Sequence, residues 1–222
     1  VLTVLRRIAA MHSSPEFPQL PGLRPVATTY GASKRLENVA LTSFANEQAY
    51  VFNVGEINTR ILLQRLVEDQ LDFAVPFDTS GLEVLPPFEA RQTISADSML
   101  RLLIDVFNPL IRGLRILRDL GLRSIFLHSV PPPAVNDVDS ARVMRFNNPA
   151  LLRYKLVMFV NYLYASVCRE LGIGFVNTWP LVTRGNLLQP EFYLDGLHLN
   201  RDHSILSVNE VYRQFSALKE TA

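Results

Sequence analysis

Short runs of β-branched and aromatic residues alternate along this chain with longer stretches of helical period, and that alternation narrows the fold more than any other feature. Strands are expected over residues 7–11, 24–29, 49–54, 123–130 and 172–179. The clearest in the first half is Ala49-Tyr50-Val51-Phe52-Asn53-Val54, which stops at Gly55. Helical periods are expected from Ser33, over 57–71, from Ser95 to a C-cap at Gly121, from Pro149 (with Asn148 as cap) to about Leu171, and from Asn200 through Phe215. Residues 78–87 read as a Gly/Pro-containing excursion, 134–148 as a polar loop and 180–190 as a second loop. Strands alternating with helices favour a parallel sheet covered on both faces: an α/β, three-layer α/β/α, doubly wound domain.

The 222 residues are sized for one such domain, 1–222. With 22 Lys+Arg against 21 Asp+Glu, the formal charge of +1 gives no global field for nucleic acid. Cys168 is the single cysteine and lies in an apolar segment, which excludes a disulfide framework and predicts an inert buried thiol. This points to a cytoplasmic setting. No apolar run reaches the roughly 18 residues needed for a membrane span. No Gly-x-Gly-x-x-Gly or phosphate-loop pattern occurs, and no cofactor is implied. His12, His128, His198 and His203 lack zinc spacing; His128 reads as a core histidine and His203 as a solvated one. Tyr154, Met158, Phe159 and Tyr162 follow helical spacing and read as core.

In parallel sheets of this kind, functional groups gather in the loops after the carboxyl ends of strands. Those loops carry His12-Ser13-Ser14, Tyr30-Gly31-Ala32-Ser33, Gly55-Glu56-Ile57-Asn58, Pro131-Pro132-Pro133, and Asp195 with His198. In Tyr193-Leu194-Asp195-Gly196-Leu197-His198-Leu199-Asn200, a carboxylate three residues before an imidazole can fix its tautomer, with Gly196 permitting the tight turn. The alternative is a turn-forming Asp beside an unconnected His. Ser13 and Ser14 precede Pro15 and can equally cap a helix. Glu56 and Arg60 are spaced to pair on one helix face.

The Asp195–Asn200 segment resembles the last block of the SGNH (GDSL-type) hydrolases, and the likeness extends from about Arg7 to Phe215. Residues 51–60, Tyr30-Gly31-Ala32-Ser33 and the strand ending Val130-Pro131-Pro132 are similar to other parts of that superfamily. The resemblance implies a flavodoxin-like SGNH fold and a serine hydrolase acting on small acyl esters of carbohydrates or lipids. It implies Ser14 (or Ser13, on a one-residue slip) as nucleophile, His198 as base, Asp195 as its orienting carboxylate, and the Gly31 amide as an oxyanion donor. Asn58 is either a second oxyanion donor or the cap of a helix starting at Thr59. The first block departs from the family: His12 and Ser13 stand where Gly and Asp are expected. That departure leaves open a second expectation, a non-catalytic relative serving as a binding or structural subunit with a protein partner.

Overall fold

The computed structural model describes residues 49–220, and the side chains of all but the last two. Three parallel strands form the central sheet in the order β1 (Tyr50–Phe52), β4 (Ile125–His128), β5 (Gly174–Val176). Between β1 and β4 run α1 (Glu56–Glu68), β2 (Leu71–Phe73), β3 (Gln92–Ile94) and α2 (Ala96–Asp119). Between β4 and β5 run α3 (Asp137–Met144) and α4 (Ala150–Leu171). After β5 come α5 (Trp179–Val182), the hairpin β6 (Thr183–Arg184) and β7 (Leu187–Leu188), and α6 (Arg201–Glu220).

The sheet is covered on both faces because the side chains of β4 alternate between them. Ile125 and Leu127 enter the main core with Leu63 and Leu66 of α1, Leu103 and Phe107 of α2, and Leu156 and Phe159 of α4. Phe126 points the other way, joining Ala49, Val176, Val211 and Phe215 beneath α6. All four β4 residues are therefore buried. These are the three layers expected from the alternation, an α/β fold on a parallel sheet. Gly174 lets β5 come close to β4, since a Cβ there would sit 2.3 Å from the Phe126 ring.

Local chemistry explains most element ends. Ser95 caps α2 by accepting from the Ser98 amide at 3.2 Å. At the far end Gly121, with φ +88°, donates to the Arg118 carbonyl, and the Leu122 amide donates to that of Leu117. This is the Schellman arrangement that a glycine beyond a helix end permits. The Gly185-Asn186 turn has positive φ at both residues, as a tight hairpin of this hand requires.

Several expectations are corrected. The α1 period stops at Glu68 and Leu71–Phe73 is a strand, pairing in parallel with Gln92–Ile94 beyond the 78–87 excursion. The segment read as a polar loop over 134–148 carries α3, capped by Asn136, whose side-chain oxygen accepts from the Val138 and Asp139 amides. The loop over 180–190 contains α5 and the β6–β7 hairpin. Asn148 makes no cap for α4: it is fully buried, accepts from Ser140 Oγ at 2.6 Å and from Arg153 Nη1 at 2.7 Å. Arg60 turns to the Met144 carbonyl at 2.9 Å and does not pair with Glu56. Of the aromatic positions on α4, Tyr154 and Phe159 are fully buried, while Tyr162 is 44% exposed. Cys168 is buried, and burial pushes its thiol up to about 12. Among the described residues, no helix is long and apolar enough to cross a membrane.

Candidate functional site

The stretch 193–200 is a small closed loop. Tyr193 and Leu199 form an antiparallel bridge, and the Leu194 and Asp195 amides both donate to the His198 carbonyl, at 3.2 and 3.3 Å. Inside it, Asp195 Oδ1 accepts from the backbone amides of Leu197 (2.8 Å) and His198 (2.7 Å). This is the side-chain-to-backbone turn that aspartate forms readily. The same carboxylate meets the imidazole: His198 Nδ1 lies 3.0 Å from Oδ1 and 2.8 Å from Oδ2. Leu197 packs against the main core and pins the loop's inner side.

A carboxylate can only accept, so the short Nδ1 contacts assign the proton to Nδ1 and leave Nε2 with a lone pair. Burial alone would raise the Asp195 carboxyl. Hydrogen bonds from the His198 ring, the His198 amide and the Leu197 amide, together with the attraction of His198, outweigh it and hold the group below the usual carboxylate range. The pair is open to solvent, with 45% of the His198 side chain and 36% of that of Asp195 accessible. An oriented imidazole whose second nitrogen can receive a proton has the geometry that general-base chemistry requires.

Gly196 serves the loop by closeness and has no unusual backbone angle. A Cβ there would stand 2.2 Å from the Asp139 carbonyl oxygen and 2.7 Å from the Ser140 nitrogen, so the loop rests directly on the α3 backbone. From the same helix Asp139 Oδ2 accepts from the Tyr193 hydroxyl at 2.8 Å. Burial first, then donation to Asp139 and the charges of Asp139 and Asp195, push Tyr193 up to about 12. Asp139 and Tyr193 were missed as site residues. The Asn136-Asp137-x-Asp139 pattern is a legible helix start, but nothing local says that it meets a loop 54 positions later.

Asn200 caps α6, its side-chain oxygen accepting from the Asp202 amide at 3.0 Å and the His203 amide at 3.3 Å. His203, expected in solvent, is 9% exposed, because α6 lies on the sheet and turns this position inward. Its Nε2 is 3.2 Å from Thr178 Oγ1, just beyond β5, and its ring packs edge-on to His128 at the end of β4, centroids 6.0 Å apart. The start of α6, and with it the Asp195–His198 loop, therefore sits at the carboxyl edge of the sheet. His128 is buried as expected, with Nδ1 2.6 Å from the Ser129 carbonyl oxygen. Burial lowers both imidazoles, His203 to about 4 with a further push from His128.

Of the other expected site residues, Ser13, Ser14 and Gly31 lie outside the described residues. Asn58 does not cap a helix: α1 begins at Glu56 behind Gly55, whose φ is +107°. Gly55 is also obligatory sterically, a Cβ there falling 2.2 Å from the Tyr164 hydroxyl. The Asn58 amide instead reaches toward the Val106 carbonyl of α2 at 3.4 Å. It lines a cavity of about 350 Å³ with Leu62, Leu66, Ile94, Leu102 and Val106, to which neither Asp195 nor His198 contributes.

No protein-family model matches the sequence. No curated protein matches it either. Among solved structures, the chain is similar to a GDSL-like lipase from Bacteroides thetaiotaomicron, at 15% identity over 72% of this chain and 71% of that one, with a TM-score of 0.42. It is also similar to a provisionally assigned acylhydrolase from Bacteroides fragilis, at 13% identity over 86% of this chain and 99% of that one, with a TM-score of 0.46. Likenesses of this size assign no residue a role, and the chemistry rests on the geometry above.

Proposed function

We propose that the protein is a serine ester hydrolase of the SGNH (GDSL) type, a reading carried by one observation: Asp195 holds His198 through Nδ1 and, among the described residues, leaves Nε2 without a partner. In this mechanism Ser14, or Ser13, attacks the acyl carbonyl while His198 Nε2 takes the hydroxyl proton. Asp195 stabilises the imidazolium that forms, and its low carboxyl keeps it ionised throughout the neutral range. The Gly31 amide binds the tetrahedral oxyanion. Donors of this kind contribute about 3–4 kcal/mol each in well-studied hydrolases. Asn58, engaged with Val106, joins them only by leaving that carbonyl. His198 then returns the proton to the departing alcohol, and water repeats the sequence on the acyl-enzyme. The exposed pair and the near-neutral chain suit small uncharged esters, such as acetyl groups on carbohydrates or short lipid esters.

A second reading has its own support. His12-Ser13-Ser14 replaces Gly-Asp-Ser in the first block, which favours a non-catalytic subunit that binds a protein partner. A fluorophosphonate probe separates the two. An adduct on Ser14 or Ser13 that disappears in His198→Ala supports the hydrolase. Absence of any adduct, with no hydrolysis of a chromogenic acetyl ester, leaves the binding subunit.

A further inference from the structure

The hydrogen bonds inside 193–200 set the shape of the loop but not its place on the protein, because they join only its own residues. Among the described residues, its polar tie to a distant part of the chain is the one from Tyr193 Oη to Asp139 Oδ2, 2.8 Å across 54 positions. Its backbone also comes close to the same residue, where Gly196 lies against the Asp139 carbonyl. Asp139 is itself held: its other oxygen receives Arg142 Nη2 at 3.2 Å, and its amide donates to the Asn136 side chain. The helix that carries it is fastened to the body of the domain. Arg153, 1% exposed on α4, donates to Asp137 Oδ1 at 2.9 Å and to the Ala134 carbonyl at 2.7 Å. It also reaches the Asn148 carbonyl and side chain, and Asn148 in turn receives Ser140 of α3.

We propose that Asp139 and Tyr193 are positioning residues for the Asp195–His198 pair, fixing on α3 the place of a loop whose own hydrogen bonds align the carboxylate with Nδ1. The inference rests on the hydrolase reading for its consequence but not for its geometry. Without the tie, the pair keeps its internal geometry and loses its fixed place on the domain. A nearby base displaced by about 1 Å can cost as much as a hundredfold in rate, and a loosened one correspondingly less.

The test reads the motion of the loop directly. In ¹⁵N-labelled protein, backbone relaxation across 194–199 reports how firmly the loop is held, and the ring nitrogens of His198 report which one carries the proton. Tyr193→Phe removes one half-buried oxygen, and Asp139→Ala removes the acceptor. Both are expected to add motion across 194–199 while the proton stays on Nδ1, and Asp139→Asn, which keeps a carbonyl acceptor, restores the wild-type rigidity. Fluorophosphonate labelling is expected to slow roughly tenfold in the first two variants. A purely structural role would lower the melting temperature and leave the loop as rigid as in the wild type. Tyr193→Phe that melts cooperatively with wild-type relaxation across 194–199 overturns the proposal, whether or not Asp139→Ala folds. Wild-type protein that takes no label at all breaks the hydrolase reading alone, since the relaxation measurement still decides the positioning.

Discussion

His198 and His203 are five residues apart and share a loop-to-helix junction, yet their surroundings are opposite. His198 stands half in water with a carboxylate on one nitrogen and, among the described residues, no partner on the other. His203 is enclosed between α6 and the sheet, with a threonine hydroxyl and a second imidazole for company. Burial beside another imidazole disfavours the imidazolium at His203. The first environment suits a group that must accept a proton and give it back. The second suits one that stays neutral and completes the packing where the strands end. Residue type alone does not separate the two roles; the partner and the depth do.

The largest effect should come from the exposed pair. Replacing His198 by Ala, or Asp195 by Asn, is expected to lower ester hydrolysis and fluorophosphonate labelling by about a thousandfold or more, as loss of a base or of its correct tautomer does in serine hydrolases. Activity assays beside melting curves check this, and residual activity within tenfold of wild type in both variants would erase the distinction drawn here.

Next comes acid sensitivity. The unfolded chain binds a proton at His203 below about 6.5, while the folded chain resists it down to about 4. The stability this group contributes is fully present above about 6.5 and is lost as pH falls toward 4. A loss of roughly 2–3 kcal/mol is expected between pH 7 and pH 4.5, to which His128, lowered in the same direction, adds. Denaturant titrations of wild type and His203→Gln read the term as a difference. Equal pH slopes in the two proteins would remove the buried half of the comparison.

Gly196→Ala should come next. Its Cβ would collide with the Asp139 backbone, which cannot rotate away as a side chain can. Overpacking of this kind costs about 1–3 kcal/mol, and labelling should slow along with the fall in melting temperature. The smallest effect sharpens the contrast from the other side: His198→Ala should change stability by no more than about 0.5 kcal/mol, as surface substitutions usually do.

Features legible in the chain were those whose cause is local. Asn200 as a cap, a helical period starting at Ser95, Gly121 beyond a helix end, and the Asp195-x-x-His198 spacing all depend on residues within a turn or two of one another. Helix α3 was hidden because its eight residues are too few for a clear period and its polar face dominated the reading. Gly196 was legible as a special position, but for the wrong reason: a turn was expected, and a close approach to another helix is what excludes a side chain.

By itself, then, the sequence determined the α/β class, the parallel sheet and the juxtaposition of Asp195 with His198, because short-range hydrogen bonding and hydrophobic period are written residue by residue. Only the tertiary structure decided that His203 is buried, that Arg153 and Asn148 anchor the crossover, and that Asp139 of α3 meets Tyr193 of the Asp195–His198 loop. Those contacts join segments far apart in the chain, and both burial and hydrogen-bond partnership there depend on how the sheet brings the segments together.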